Sequence, residues 1–426
     1  MTNLSRRRFL SRALSATAAS GIILPGLSAA STGDSERKFL FVLASGGWDT
    51  SYLFTPAFDN ASVDTETDAT IAEIDGLAFV DSEKRPSVRT FFEDYAHRAC
   101  IINGIEVRSV THERCEQLLM TGTVGSADDW PSIIAAQSQH TRLMPHLVVY
   151  GSAYTNRYTN GVVRIGSNGQ LPDLLDGTAL IRSNIPTPRV SGEVDAAVDA
   201  YVRQRAAALS AAAGDPGRLS AGYGAALENL AGLEQLASSL TLDPVDAGCE
   251  RDLASDGASV LECFAAGLSR CGMIQFDGWC GERWDTHSGN DKQGIHYQQL
   301  FSYLERLMAD LDSRTGSSGA PLSEEVTVVV LSEMGRHPQL NFSGGKDHWT
   351  YTSAMLLGAG VAGGQVIGEM DSTYQGSPVD LASGAVTTSG TDLLPTTLGA
   401  TLLAMADIDP GDHITDGSQP ITAAMA

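Results

Sequence analysis

Short apolar runs recur along the chain, and each is closed by residues that favour turns. The first, Lys38-Phe39-Leu40-Phe41-Val42-Leu43-Ala44, stops at Ser45-Gly46-Gly47. Ala99-Cys100-Ile101-Ile102-Asn103-Gly104, Leu147-Val148-Val149-Tyr150-Gly151, Met273-Ile274-Gln275-Phe276 and Val326 to Leu331 follow the same pattern. Runs that do not alternate with polar residues suit strands buried on both faces, as in a parallel sheet covered by helices. Helical stretches separate them, so the pattern predicts an α/β fold with a mostly parallel central sheet flanked by helices.

Two regions have a different texture. From about Asp195 to Thr241, Ala and Leu dominate, with Leu227, Leu230, Leu233 and Leu236 at helical spacing. This predicts two helices separated by Gly214-Asp215-Pro216-Gly217, either an α-helical insertion or two ordinary helices of the main fold. The tail, residues 376–426, is rich in Ser, Thr, Gly and Asp, with one short helix expected near Thr397 to Met405. It is expected to wrap the domain surface.

The chain has 426 residues, enough for one large domain or two ordinary ones. Acids outnumber bases by 51 to 28, a net charge of −23, which repels phosphate backbones and anionic lipid. Nucleic acid is thereby a poor partner. The charge is uneven: residues 1–30 hold Arg6, Arg7, Arg8 and Arg12 and no acid. An apolar stretch from Ala13 to Leu27 and small residues at Ser28-Ala29-Ala30 follow, the layout of a cleavable signal peptide. The paired arginines before Phe9-Leu10 resemble a twin-arginine export signal, implying a periplasmic or secreted protein whose first partner is the export machinery. The competing reading is a membrane anchor, but Gly21, Pro25 and Gly26 break a stretch already short of a span. No stable span is expected after cleavage of residues 1–30, leaving 31–426 as the folded domain. The six cysteines fit either disulfides in an oxidising compartment or buried thiols, and no CxxC spacing suggests structural zinc.

Ligands of open parallel sheets bind beyond the carboxyl ends of the strands. Three such places carry acids: Gly46-Gly47-Trp48-Asp49, Trp284-Asp285-Thr286-His287, and Glu333 to Arg336 followed by Gly344-Gly345-Lys346-Asp347-His348. An Asp after a Gly pair is more commonly a turn or helix-cap residue, the competing reading of Asp49. Asp285 and His287 share a face if the segment is extended. Together Asp49, Asp285, His287, Glu333 and His348, with Asp347 beside them, form an oxygen and nitrogen set suited to zinc, manganese or iron.

These motifs, with Thr111-His112 leading to Thr121-Gly122, resemble an exported bacterial family known as domain of unknown function 1501, of the alkaline phosphatase and sulfatase superfamily. The resemblance spans nearly the whole mature chain. It implies an alkaline phosphatase-like fold, one or two divalent ions held by Asp49, Asp285, His287, Glu333 and His348, and a small anionic substrate. Met334 stands where the superfamily has a ligating His, and a thioether is a poor ligand for a hard cation. The nucleophile position at the helix start falls on His112, beside Thr111. His112 is open to three roles: nucleophile, metal ligand, or general acid or base. Arg108, Arg114 and Arg336 are candidate anion clamps. The resulting expectation is an exported metal-dependent hydrolase of a phosphate or sulfate ester. The alternative is a non-catalytic binding or assembly protein of the cell envelope on the same scaffold.

Overall fold

The computed structural model describes residues 35–165, 192–212 and 253–426. The expected signal segment, the Gly214 to Gly217 break and Leu227 to Leu236 lie outside the described residues. Strands are β1 (Lys38–Ala44), β2 (Thr70–Ile74), β3 (Leu77–Asp81), β4 (Ala99–Glu106), β5 (His146–Val148), β6 (Val162–Arg164), β7 (Cys271–Phe276), β8 (Val326–Leu331), β9 (Gly335–Leu340), β10 (Lys346–Trp349), β11 (Tyr351–Gly358) and β12 (Gln365–Ile367). The α-helices are α1 (Pro86–Tyr95), α2 (His112–Thr121), α3 (Trp130–Ala136), α4 (Gly192–Ala212), α5 (Leu253–Ala265), α6 (Lys292–Ser313) and α7 (Pro395–Met405).

An eight-stranded sheet carries the main unit, in the order β12-β4-β11-β8-β1-β7-β5-β6. β1 pairs in parallel with β7 on one side and β8 on the other, and β11 alone runs against its neighbours. The uninterrupted apolar run of β1 is buried at every position because both sheet faces are covered. Alternate side chains serve the two faces. Phe39, Phe41 and Leu43 join a core with Ile134 of α3 and Leu398 and Leu402 of α7. On the opposite face Leu40 lies near Gly272, where an added Cβ would sit 2.3 Å from Val260 of α5. That glycine lets α5 pack directly on β7.

The tail does more than cover the surface. Val379, Leu393, Leu398, Leu402, Leu403, Ile414 and Ile421 all enter the core. Their apolar spacing is hidden among Ser, Thr and Gly, so composition alone understates their burial. In the second unit, α4 is the described element, a 21-residue helix. No described helix is long and apolar enough to cross a membrane. Cys100, Cys115, Cys263 and Cys271 are buried free thiols, and Cys280 is in a disulfide.

Candidate functional site

β4, β8, β1 and β7 run in the same direction, so their carboxyl ends lie along one edge of the sheet. The chain leaving β1 turns through Gly46 (φ +124°) and Gly47 (φ +80°). A Cβ on Gly46 would lie 2.9 Å from the Asp285 backbone nitrogen and the Trp284 Cβ, so only glycine fits the approach. The Gly46 N–H donates to both carboxylate oxygens of Glu333, at 2.9 and 3.1 Å, directly after β8. Beneath this turn Trp48 packs with Phe54, Trp284 and Tyr297, and the Trp48 indole N–H donates to the Thr352 hydroxyl at 2.9 Å. The loop after β1 therefore rests on a rigid aromatic floor.

Three imidazoles and a carboxylate meet above it. His112 opens α2, His287 follows Asp285 in the loop after β7, and His348 lies on β10. Ligand atoms of His112, Asp285 and His348 all fall within 4.8 Å of one another. Each ring has its Nδ1 held: His112 by Glu333 at 2.7 Å, His287 by Asp347 at 3.0 Å, and His348 by the Val110 carbonyl at 2.7 Å. Acceptors at Nδ1 select the Nδ1–H tautomer and leave the Nε2 lone pair for another use.

The Nε2 atoms converge on Asp285. His287 and His348 each place Nε2 3.2 Å from Asp285 Oδ1, and His112 Nε2 is 3.4 Å from Oδ2. His287 and His348 face each other Nε2 to Nε2 at 2.9 Å. Two lone pairs at that distance repel unless a proton or metal ion lies between them. His112 Nε2 is buried and has no hydrogen-bond partner, its contact with Asp285 being close but not aligned as a hydrogen bond. These separations approximate the edge of a tetrahedron, about 3.3 Å for ligand bonds of about 2.0 Å. The donor set thus fits a divalent ion.

Charge and titration agree with that geometry. The carboxylates of Asp285 and Glu333 push the His112 imidazole up to about 9, outweighing the effect of burial. Burial raises the Asp285 carboxyl, but His112, His348 and Arg336 overcome it and hold it well below the usual range. A proton-hungry imidazole beside a strongly anionic carboxylate marks a place that attracts cations.

Other expected site residues lie elsewhere. Asp49 is buried and its Oδ2 pairs with the Lys346 ammonium at 2.8 Å, so it is not among the gathered donors. Glu333 is 1% exposed and reaches the centre through His112 Nδ1, supporting a ligand rather than presenting its own oxygens. Asp347 is exposed and likewise acts through His287. Met334 packs against Val107 and Cys115 in a small apolar cluster. Thr111 is the α2 N-cap, exposed and making no side-chain cap hydrogen bond.

The expected anion clamps also differ from one another. Arg336 is fully buried and its guanidinium donates to the carbonyls of Gly46, Gly47, Trp284 and Lys346 and to Asp285 Oδ1 at 2.7 Å. These bonds hold the loops, and the fully buried guanidinium presents no exposed fork to a substrate. Arg108 is exposed and pairs with Glu106 at 3.0 Å, and Arg114 is exposed on α2.

Residues 249–417 match the family described as Protein of unknown function (DUF1501). That is the family the sequence motifs resemble. The matched stretch holds Asp285, His287, Glu333, Arg336, Asp347 and His348, while Asp49, Thr111 and His112 precede it. Among solved structures, the chain is similar to the C-terminal periplasmic domain of EcEptC from Escherichia coli in complex with Zn, at 8% identity and TM-score 0.42, covering 91% of this chain and 87% of that one. It is similar to a phosphonate monoester hydrolase of Agrobacterium radiobacter, at 12% identity and TM-score 0.35, covering 91% and 77%. A sulfatase from Pseudoalteromonas sp. is matched at 8% identity and TM-score 0.39, covering 99% and 76%. No curated protein matches.

Four side chains surround the site. Lys346, Asn290 and Gln293 tie the loops together, Gln293 donating to the Trp284 carbonyl at 2.8 Å and to the Thr286 hydroxyl at 3.0 Å. Glu116 lies one helical turn on from His112, and its Oε1 is buried without a partner. Burial, with the charges of Glu333 and Asp277, raises its carboxyl despite Ser152 nearby. Glu116 is not among the residues expected from the sequence, where its i, i+4 spacing from His112 is the signal that marks it.

Proposed function

We propose that the chain is an exported, metal-dependent hydrolase acting on a phosphate or sulfate ester. The observation that carries the reading is the convergence of three imidazole Nε2 atoms on Asp285 with every Nδ1 locked by an acceptor. Asp285, His112, His287 and His348 would hold one divalent ion, with zinc, manganese or iron all compatible with imidazole and carboxylate. Such an ion polarises an ester oxygen and makes water a stronger acid.

The chain's own residues supply the rest. Glu333 and Asp347 fix the ring orientation of His112 and His287. The first turn of α2 presents backbone N–H groups that Thr111 does not cap, beside the centre, which favours an anionic group. Glu116 keeps a proton better than an ordinary carboxyl and stands one helical turn on from His112. His112, committed to the ion, is a ligand in this reading rather than a nucleophile. The Arg-rich start of the sequence supports export.

Elemental analysis of natively exported protein tests this directly. Zinc, manganese or iron is expected in stoichiometric amount, lost in Asp285→Ala. A folded, metal-free protein indifferent to that substitution would overturn the reading. A screen of phosphate and sulfate esters with added metals separates the hydrolase from a binding or assembly protein: turnover lost in His112→Ala supports the enzyme.

A further inference from the structure

The carboxylate of Asp49 is fully committed inside the protein. Its Oδ1 accepts from the Ser51 backbone N–H at 3.0 Å and the Ser51 hydroxyl at 2.7 Å. Its Oδ2 accepts from the Asn290 amide at 2.7 Å and contacts the Lys346 ammonium at 2.8 Å. A carboxylate offers about four acceptor positions, and all are used. Neither partner of the Asp49–Lys346 pair exposes any side-chain surface, at 0% each. The ammonium also donates to the Ser51 hydroxyl at 2.9 Å and lies 5.9 Å from the centre of the Tyr52 ring. It is therefore a cation held by a carboxylate, a hydroxyl and an aromatic face, and attached to the chain.

This cation sits beside the histidine centre. Lys346 is two residues before His348 on β10, and Asn290, which binds Asp49, also accepts from the Thr286 hydroxyl between Asp285 and His287. An ion at Asp49 would have to displace the ammonium and leave it buried without its carboxylate, which is strongly unfavourable.

We propose that the Lys346 ammonium occupies the place where a second cation would bind Asp49, so that the chain holds a single exchangeable ion, at the histidine centre. This rests on the metal reading above and adds the ion count to it. Asp49 then organises the loop after β1 through Lys346 and takes no part in binding the ion.

The test uses the full chain and counts zinc or manganese bound per molecule while following the melting temperature. Wild type and the neutral pair Lys346→Met/Asp49→Asn are each expected to hold one ion. Two ions in wild type, or loss of the ion from a neutral pair that is folded, would overturn the proposal. Lys346→Ala leaves Asp49 buried and unpaired, so its melting temperature is expected to fall by about 5 °C or more. Added manganese or zinc should restore part of that loss by binding Asp49, and should do nothing in Lys346→Ala/Asp49→Asn. No restoration in the single variant counts against the proposal. Should Lys346→Ala not fold, the neutral pair Lys346→Met/Asp49→Asn decides: one ion retained is expected, and any other count contradicts it. A wild type with no ion defeats the metal reading instead, and the cation-dependent recovery of Lys346→Ala still decides whether Lys346 stands in for a cation.

Discussion

Glu333 grips His112 from beneath: its Oε1 is 2.7 Å from His112 Nδ1, while the Gly46 N–H holds the same carboxylate from the other side. The imidazole is thereby fixed to the strand end of β8 rather than to its own helix. Glu333→Gln keeps the shape but exchanges one acceptor oxygen for a donor, which favours the opposite tautomer of His112. A loss of about 10- to 100-fold in metal affinity is expected, with the fold retained. Competition with a chromophoric chelator measures it, and unchanged affinity would show that Glu333 does not orient the ring.

Metal binding should release protons. His112 is raised to about 9 by Asp285 and Glu333, so it is charged at pH 7 in the metal-free protein, and a bound ion must displace that proton. Apparent affinity is then expected to rise about tenfold per pH unit between pH 7 and 9 and to level above. The linked effect on the metal-free fold has the matching sign: stability from the raised imidazole is present below its unfolded value, about 6.5, and is lost as pH rises through 9. Calorimetry of binding in two buffers of different ionisation heat counts the protons, and a count of zero would contradict the assignment.

His146 sets an acid limit on stability. It is fully buried with Nδ1 3.2 Å from the Ser132 hydroxyl, and burial lowers it to about 3. The unfolded chain takes up a proton near pH 6.5 that the folded chain refuses, so stability falls as pH drops below that value. About 2 kcal/mol should be lost from this group between pH 7 and pH 5. Urea unfolding of wild type and His146→Gln at both pH values isolates this contribution, and equal losses would remove His146 as the cause.

Gly46→Ala should damage stability and site together. The new methyl meets Trp284 and the Asp285 backbone at 2.9 Å in a backbone conformation that side chains resist, φ +124°. A destabilisation of about 2 kcal/mol or more and weaker metal binding are expected, because the displaced segment carries Asp285. Full affinity in a stable variant would show that the loop has room to yield.

Much of this organisation was legible in the residues. β1 and β8 have the limits that their apolar runs predict, because both are buried on two faces and Thr327 is the one polar residue within β8. Asp285, His287 and His348 stood out as imidazole and carboxylate in Gly-rich loops after strands, and the structure gathers them. β11 is not among the expected strands: Tyr351-Thr352-Ser353 makes its first half polar, and it runs antiparallel beside β8 and β4. The fates of Asp49 and Arg336 were hidden for another reason. Lys346 reaches Ser51 and Asp49 from almost 300 positions away, a separation of 295 to Ser51, and the acceptors of Arg336 are mostly backbone carbonyls. Local pattern carries no trace of a charge compensated at that distance, or of a carbonyl turned inward.

The separation has a further consequence in time. His112 meets Glu333 across 221 positions and Gly46 meets Glu333 across 287. During synthesis His112 and the Gly46 turn wait for Glu333, so the early half of the centre is fixed only after most of the chain has left the ribosome. An ion held by all four proposed ligands would be loaded after, and not during, the growth of that first half.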